Sequence, residues 1–299
     1  MMPWQLKLRP ADFLTVAFSF FLLVLTAIYS AAIPYAGYLI LMYSSIILFQ
    51  TSLVYLSRIN PFLKVVHDII FPVISVLVIF DSLGLIVHSV NPHDIDYLLI
   101  RADYLIFGVY PTVFLEKFVS PCMTDILQVA YSTYYFIPII LGIALRVKGE
   151  TEAFEKSLFL MLFCFYLSYI GYLLFPAVGP RYAMQHLNDR DLDGFLVSVP
   201  IQNVLNLLEG IKRDAFPSGH TGIALTVLFL AYRYDRTLFR WMLAPVLLLI
   251  PATVYCRYHY AVDVIAGVLL AVVTLTLGEV YYKFLIRKGV PEKSQTFWG

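Results

Sequence analysis

The feature that most constrains this chain is a series of long apolar runs. Eight of them are long enough, or nearly so, to cross a bilayer, which takes about 20 apolar residues in a helix. They cover residues 13–33, 35–56, 69–90, 122–146, 155–177, 217–234, 241–258 and 260–283. Only 14% of the 299 residues are charged and 60% are hydrophobic, with a mean hydropathy of +0.79. This pattern predicts an all-α, polytopic membrane bundle of about eight transmembrane helices.

The connections between the runs divide the chain further. The first run is too long for a signal-peptide core and follows Lys7 and Arg9, so we expect an uncleaved span; Ser30-Ala31-Ala32 leaves cleavage as the alternative. Segment 91–121 mixes charged and apolar residues, which favours interfacial helices over another span. The long polar loop 178–216 contains a predicted short helix near 201–210. We expect an N-terminal hairpin (1–68), a membrane domain (69–286) and a tail (287–299).

The distribution of Lys and Arg predicts the orientation, because cytoplasmic loops are enriched in both. A cytoplasmic N-terminus places 14 of the 21 Lys and Arg residues in the cytoplasm: Lys7, Arg9, Arg58, Lys64, Arg146, Lys148, Lys156, Arg233, Arg236, Arg240, Lys283, Arg287, Lys288 and Lys293. Both termini are then cytoplasmic, and loop 178–216 lies on the opposite face. The net charge of +1 indicates no surface for nucleic acid.

The stretch from Ala215 to Thr221, read Ala-Phe-Pro-Ser-Gly-His-Thr, precedes an apolar run. Pro217 suits the first turn of a helix, where its missing N–H costs nothing. Ser218 and Gly219 would leave the following N–H groups open, and such a helix start binds anions. His220 stands beside that position with a proton to give or take. The structural alternative is that His220 is an ordinary capping residue at a helix start.

A second stretch contains His259 and Asp263, which are four residues apart and share one face of a helix. A carboxylate behind an imidazole fixes its tautomer and stabilises its cation, which improves the other nitrogen as a nucleophile or base. Arg181 follows Gly179-Pro180 and offers a forked donor for phosphate oxygens. An aromatic belt and a snorkelling anchor are the structural alternatives for His259 and Arg181. All these residues fall on the predicted non-cytoplasmic face.

Together these motifs resemble the type 2 phosphatidic acid phosphatase (PAP2) superfamily of integral membrane enzymes. Its signatures are a Lys/Arg segment, a Pro-Ser-Gly-His segment and an Arg…His…Asp segment, in that order. The second matches residues 217–220 in full, and the third matches at His259 and Asp263. The resemblance covers roughly residues 69–282 and implies a six-helix catalytic core.

Two positions depart from the family pattern. Thr253 stands where an Arg usually precedes the nucleophilic histidine by six residues, and the nearby arginine is Arg257. Leu174 stands where a Lys usually precedes the Arg of the first signature. Both departures look more like the branch that contains inositol phosphorylceramide synthases than like simple lipid phosphatases.

The resemblance also implies roles for the matching residues. His259 attacks phosphorus to form a phosphohistidine, Asp263 orients it, and His220 protonates the leaving oxygen and later activates the acceptor. The phosphate oxygens are expected to bind four residues: Arg181, Ser218, Gly219 and, as the weakest candidate, Arg257. No cofactor is expected and no metal is needed, because no acidic cluster is placed to hold Mg²⁺ near these motifs. The three cysteines match no zinc spacing.

The expected function is therefore phosphoryl transfer from a lipid phosphate within the membrane, as a phosphatase or phosphotransferase. The alternative is transfer of a phospho-headgroup to a lipid hydroxyl. A lipid flippase or transporter is a different class, motivated by Asp81, His88 and Asp263 within apolar runs. Against it, no internal repeat or pair of broken helices is evident. For Asp81 the preferred interpretation is a structural hydrogen bond to a neighbouring helix.

A polar and aromatic stripe lies at the outer part of the fourth run. It consists of Gln128, Tyr131 and Tyr135. An aromatic belt at the membrane interface is the simpler interpretation. A wall of the substrate pocket is the alternative.

Overall fold

The structure is a computed structural model that describes residues 8–208 and 212–288, and it is helical throughout. Helices account for 79% of the chain, and no strand occurs within those two ranges. The predicted all-α class is confirmed. In chain order the helices are α1 (Pro10–Ile28), α2 (Ala36–Leu56), α3 (Pro61–Val90), α4 (Asp96–Phe107), α5 (Pro111–Phe118), α6 (Pro121–Tyr135), α7 (Ile137–Val147), α8 (Thr151–Leu174), α9 (Pro180–Ala183), α10 (Ser198–Leu208), α11 (Gly219–Tyr234), α12 (Arg236–Tyr255) and α13 (Ala261–Arg287).

Six of these helices, α1, α2, α3, α8, α12 and α13, are long and apolar enough to cross a membrane in the described ranges. The number rises to eight if the bent pairs α4–α5 and α6–α7 each count as one span. α11 has 16 residues and covers only about 24 Å at 1.5 Å per residue. A multi-pass membrane protein is thus the architecture, with eight spans at most by length and composition.

The core of the bundle is built around α8, the most buried of the candidate spans. α8 contacts α1, α3, α7, α11 and α13, so an apolar side chain on any face of it meets another helix. Phe159, Leu160 and Cys164 on this helix are fully buried. A helix that is apolar all round is suited to this central position.

Helix starts and breaks explain where the structure differs from the predicted runs. α3 begins at Pro61 instead of 69, because the Asn60 side chain caps it by accepting from the Phe62 N–H at 2.8 Å. The predicted run 122–146 is two helices bent by 48°, since Pro138 in the first turn of α7 supplies no N–H. Segment 91–121 forms α4 and α5, bent by 63° after Gly108 takes φ +71°. By length and composition this pair also qualifies as a broken span or a re-entrant loop, so its expected interfacial position stays a prediction.

Three expectations lie at the limits of the described ranges. The short helix expected near 201–210 is α10, and residues 209 and 210 lie outside the described ranges. The expected tail lies outside them from residue 289 onward. The expected boundary between hairpin and membrane domain, at 68/69, falls within the continuous helix α3.

A buried ionic cluster joins α1 to the bundle at the end opposite the 178–216 loop. Arg9 contacts Asp68 on α3 at 2.7 Å and Glu155 on α8 at 3.0 Å. Asp68 also binds Arg146 at the end of α7, at 3.0 Å. Asp12 accepts from Gln50 on α2 at 2.9 Å. These pairs satisfy charges that would be costly to bury alone, so they fix where the N-terminal hairpin (α1 and α2) packs.

Candidate active site

The start of α11 is set by Ser218, not by Pro217. Ser218 is the N-cap: its Oγ accepts from the Thr221 N–H at 3.3 Å and its own N–H donates to the Asp263 carbonyl at 3.1 Å. The helix therefore begins at Gly219. Pro217 lies before it, after a cis peptide bond, so the prediction that Pro217 occupies the first turn was wrong. Because Ser218 caps one N–H itself, fewer open N–H groups remain at this helix start than the sequence predicted.

His259 lies in the connection between α12 and α13, not on a helix shared with Asp263. Its Nδ1 is 2.7 Å from the Ala215 carbonyl oxygen and 3.6 Å from Asp263 Oδ2. Asp263 is in the first turn of α13, where its carboxylate accepts from the Tyr260 N–H at 2.8 Å. The predicted side-by-side placement on one helical face is thus replaced by a loop residue above a helix start. The carboxylate still lies behind the imidazole.

The surroundings of His259 act on its proton affinity in opposite directions. Burial lowers its pKa, and the nearby Asp263 carboxylate raises it, with smaller contributions in the same direction from Asp214 and the Ala215 carbonyl. The net result is a pKa above the ordinary value for histidine. Asp214 was not singled out in the sequence because nothing in its neighbourhood marks it; only the fold brings it near this ring.

His220 and His259 face each other directly. His220 Nδ1 lies 3.3 Å from His259 Nε2. The Ala215 carbonyl oxygen can only accept, so His259 Nδ1 donates to it. With both rings neutral, His259 Nε2 carries the lone pair and accepts from His220 Nδ1–H. His220 Nε2 is buried and has no hydrogen-bond partner among the described residues.

Tyrosine rings hold His220 in place. Tyr131 stacks on the imidazole with centroids 4.4 Å apart, and Tyr134 lies at 4.0 Å. On its other side Tyr131 stacks on Tyr258 at 4.2 Å, and Gln128 donates to the Tyr258 hydroxyl at 3.1 Å. Tyr131 and Tyr135 of the stripe on α6 therefore pack against the histidine, and of the three stripe residues Tyr135 lines the chamber beside it. Tyr131, only 1% exposed, is not part of an interfacial belt.

Arg181 reaches the same region from α9, the short helix that follows α8. Its guanidinium carbon lies 5.7 Å from the centre of the Tyr258 ring, at the end of the tyrosine stack. Gly179 allows this approach in two ways. Its φ of +82° favours glycine, and a Cβ at this position would lie only 2.8 Å from the Tyr258 carbonyl oxygen. The Arg181 N–H donates to the Arg257 carbonyl at 2.9 Å. Two predicted phosphate-binding segments are thus joined through their backbones.

The guanidinium of Arg257 has partners of its own. It donates to Glu116 at 2.6 Å and to the Arg190 carbonyl at 2.7 Å. Burial lowers its pKa, and Glu116 offsets this only in part. Arg257 also takes φ +63°, which is uncommon for a residue other than glycine. Because it binds both Glu116 on α5 and Arg190 in loop 178–216, the Arg257 side chain joins that loop to α5. The sequence did not reveal this contact.

Thr253 has a structural role in the position where the family usually carries an arginine. It is fully buried, and its carbonyl accepts from the N–H groups of both Tyr258 and His259 at 3.0 Å. This double contact positions the His259 backbone. Leu174, the other departure, is 57% exposed at the end of α8.

Acidic residues of α4 hold the site loops in register. Asp96 accepts from the N–H groups of Val178 and Gly179 at 3.0 and 2.9 Å and from the Tyr260 hydroxyl at 2.7 Å. Asp103 accepts from the first two N–H groups of α13 at 3.0 and 2.8 Å. The loop that carries Arg181 and the loop that carries His259 are thus fastened to one helix.

A chamber of about 960 Å³ opens beside the histidines and extends into the bundle. His220 and Asp214 line it at one end and Asp68 at the other. Asp81 also lines it, and no hydrogen bond or ion pair of Asp81 occurs in the described part of the chain. The preferred interpretation of Asp81, a bond to a neighbouring helix, therefore has no support within the described residues. In the same ranges no three His, Cys, Asp or Glu side chains are grouped as metal ligands.

Comparisons with known proteins identify the family of the chain. The sequence profile of the PAP2 superfamily matches residues 99–277. A PA-phosphatase related-family protein of Dictyostelium discoideum is 27% identical over 187 residues, which is 56% of this chain and 34% of the relative. The chain thus spans about a third of the length of that curated relative. No solved structure matches the chain significantly. Because the matching profile covers more than half of the residues and contains both histidines, this chain belongs to the PAP2 superfamily.

Proposed function

We propose that the protein is a membrane-embedded phosphoryl-transfer enzyme that acts on lipid phosphates through a phosphohistidine at His259. The observation that carries the proposal is the environment of that ring. Nδ1–H donates to the Ala215 carbonyl, which leaves the Nε2 lone pair directed at His220. A histidine that is fixed in this tautomer presents Nε2 as the nucleophile, and His220 lies next to that nitrogen as the proton donor.

The chemical steps follow from this placement. His259 Nε2 attacks phosphorus while the bond to the leaving oxygen breaks, and His220, protonated on both nitrogens, gives its Nδ1 proton to that oxygen. The resulting neutral His220 then takes a proton from the acceptor hydroxyl, whose oxygen attacks phosphorus while the bond between phosphorus and His259 Nε2 breaks. A separation of 3.3 Å between His259 Nε2 and His220 Nδ1 leaves no room for a phosphoryl group. Substrate binding must therefore move the two rings apart.

We assign the binding of the charged phosphoryl oxygens to three groups: the Arg181 guanidinium, the Ser218 hydroxyl and the Gly219 N–H. Arg181 is held beside the tyrosine stack that ends on His220. The Ser218 hydroxyl donates to Thr221 Oγ1 at 3.1 Å and the Gly219 N–H faces the Tyr172 hydroxyl, so both would have to change partner to bind a phosphate at this helix start. Arg257 would have to release Glu116 to reach a phosphate, so we assign it a secondary role. The proposed steps use no metal ion, since imidazole and arginine supply the nucleophile and the charge.

Headgroup transfer to a lipid hydroxyl is the second candidate, and the chamber favours it. His220, the group that activates the acceptor, lines an internal space among membrane helices, from which a lipid alcohol has access. Thr253 in place of an arginine also suits a singly charged diester better than a dianionic monoester. Phosphatidylinositol and phosphatidic acid, each with and without ceramide or diacylglycerol, separate the two candidates. Fast phosphate release from phosphatidic acid, with no new lipid product, would leave a phosphatase.

The proposal is tested by trapping the phosphoenzyme on purified protein with radiolabelled lipid phosphate under acid-avoiding conditions. We expect an alkali-stable label in the wild type and none in His259→Ala. His88→Ala is the matched control, because His88 lies on the exposed face of α3 and should keep the label. Turnover with equal label in His259→Ala would contradict the proposal. Lipid movement across vesicles without phosphate release would instead indicate a flippase.

A further inference from the structure

The chamber beside His220 runs along α3 and is walled mainly by aliphatic and aromatic side chains. Its lining on α3 extends from Asp68 to Leu85. Most of the rest of the lining comes from α2, α6, α7, α8 and α10. Its volume of about 960 Å³ is at the upper end of the range of about 300–1,000 Å³ found for small-molecule sites.

The depth of the chamber below the histidines matches one lipid chain. The Phe80 and Tyr172 rings are edge to face, with their centroids 6.4 Å apart, and the Tyr172 hydroxyl lies against Gly219. Because Gly219 precedes His220, Phe80 is near the level of that histidine. From Phe80 to Asp68 is 12 residues, or about 18 Å at 1.5 Å per residue. One leaflet covers half of a hydrocarbon core of about 30 Å, or about 15 Å.

The far end of the chamber is closed by charge. Asp68, which lines it, is bound by Arg9 at 2.7 Å and by Arg146 at 3.0 Å. Displacing these pairs to admit methylene groups would leave charges unpaired, which is far more costly than stopping the chain short. The ionic cluster therefore forms a floor.

Asp81 supplies a polar contact near the entrance. It follows Phe80 directly and so lies close to the level of the histidines, facing the chamber. The Asp81 side chain is exposed on the bundle and has no hydrogen-bond partner in the described ranges. A carboxyl group at this depth of a membrane is costly unless a ligand uses it. Hydroxyl and amide N–H groups are the donors that a lipid carries near its headgroup.

We propose that this chamber binds the hydrocarbon chain of the reacting lipid, with a floor at Asp68 that limits chain length, and that Asp81 binds a hydroxyl or amide N–H of that lipid beside its headgroup. The inference rests on the proposed function, because it places the lipid's phosphate at His259. It adds the class of substrate: a lipid with a free hydrogen-bond donor close to the phosphate and a chain of about one leaflet's length.

Chain length is tested by filling the lower chamber. Gly142 lines it, and a Cβ there meets only Phe154, at an ordinary 3.8 Å, so the first atom of a Gly142→Leu side chain fits and the rest would occupy the chamber. Gly37→Leu is the matched control, because Gly37 faces open space on α2 and does not line the chamber. With lipid phosphates from octanoyl to oleoyl, Gly142→Leu should lower the long-to-short ratio of kcat/KM at least about tenfold, the low end for a filled pocket. Gly37→Leu should leave the ratio unchanged.

The role of Asp81 is tested with two lipid phosphates that differ only in a free hydroxyl beside the headgroup. Wild type should prefer the hydroxylated lipid, and Asp81→Leu should lose most of that preference. Asp94→Leu, a change in the surface loop after α3, should keep it. Unfolding midpoints in detergent show whether each variant is folded.

Failure of the chamber and failure of the proposed function have different signatures. Native mass spectrometry of the His259→Ala protein measures lipid binding without turnover: we expect bound lipid, and its loss when Gly142→Leu is added. If wild type, Gly142→Leu and Gly37→Leu are all active with the same chain-length profile, the proposed role of the chamber alone is overturned. Bound lipid in a wild type that forms no phosphoenzyme would overturn the proposed function alone.

Discussion

At the scale of single residues, the site depends on which atom each histidine turns to its neighbour. The sequence predicted that Asp263 fixes the tautomer of His259, whereas the closer contact to Nδ1 is the Ala215 carbonyl at 2.7 Å. A backbone carbonyl fixes the tautomer without adding charge. The carboxylate at 3.6 Å is then free to stabilise the cation that forms when His259 is phosphorylated.

Asp263→Asn separates these two effects. The amide oxygen can still accept from the Tyr260 N–H, so the start of α13 is preserved. Removing the carboxylate lowers the pKa of His259, because that group is the main contribution that raises it. The nucleophile must be neutral, so the acidic limb of kcat/KM against pH should move to lower pH. The maximum should fall at least about tenfold, since the cation loses its partner.

The measurement is the pH profile of kcat/KM on a soluble short-chain lipid phosphate. Asp193→Asn, on the exposed part of the 178–216 loop, should reproduce the wild-type profile. An acidic limb that stays in place or moves to higher pH in Asp263→Asn would show that Asp263 does not act on His259.

His220→Ala should act through the leaving group. A general acid matters most when the departing oxygen is a poor leaving group. Losses in kcat/KM should therefore be about 10²–10⁴-fold for an alkyl lipid phosphate and much smaller for a chromogenic aryl phosphate. Steady-state rates on both substrates provide the test, and equal losses would remove the assignment of His220 as general acid.

At the scale of elements, hydropathy located the helices because a bilayer imposes a long apolar run on any span. It could not show how they end. Asn60 extends α3 to Pro61, and Pro138 divides the fourth run, through local capping and backbone chemistry. The motif 217–220 was located correctly, but Ser218 instead of Pro217 starts the helix.

The contacts that complete the site join segments far apart in the sequence, and for that reason the pattern did not reveal them. Arg257 and Glu116 are 141 residues apart and Tyr260 and Asp96 are 164 apart. No local signal marks either pair. Tyr131 was visible only as part of a stripe, and its stacking on His220 follows from the packing of α6 beside α11.

Asp96→Ala tests whether α4 positions the site. The change leaves two N–H groups and the Tyr260 hydroxyl without their acceptor, at about 1–3 kcal/mol for each buried group. We expect a lower unfolding midpoint in detergent and a large fall in kcat/KM. The matched change Asp94→Ala removes an ion pair with Arg213 whose side chains are about 30% exposed. It should cost at most about 1 kcal/mol; equal effects of both changes would contradict the role of Asp96.

At the scale of the whole molecule, the family match and the candidate site do not occupy the whole bundle. The matched residues are 99–277, whereas α1, α2 and α3 precede them. α2 and α3 line the chamber, and the segment that starts α1 contributes Arg9 and Asp12 to the ionic cluster at its floor. The N-terminal part of the chain therefore has a physical connection to the site, although no motif of the family lies in it.

The orientation of the bundle is the last prediction. α8 has 24 residues, about 36 Å, which exceeds the hydrocarbon core of about 30 Å. Loop 178–216 and the connection before α8 therefore lie on opposite faces. The Lys and Arg distribution predicts that the loop, with Arg181, His220 and His259, lies on the non-cytoplasmic face.

Single cysteines at Asp193 and Glu150, both exposed, report the two faces. The background carries Cys122→Ser, because Cys122 is exposed while Cys164 and Cys256 are buried. In intact cells an impermeant thiol reagent should label Asp193→Cys if the protein is in the plasma membrane. In sealed vesicles from an internal membrane with the cytoplasmic face outward it should label Glu150→Cys instead. Permeabilisation should expose both positions and serves as the control. The reverse pattern would place the histidines on the cytoplasmic face, where their lipid substrate would have to come from the other leaflet.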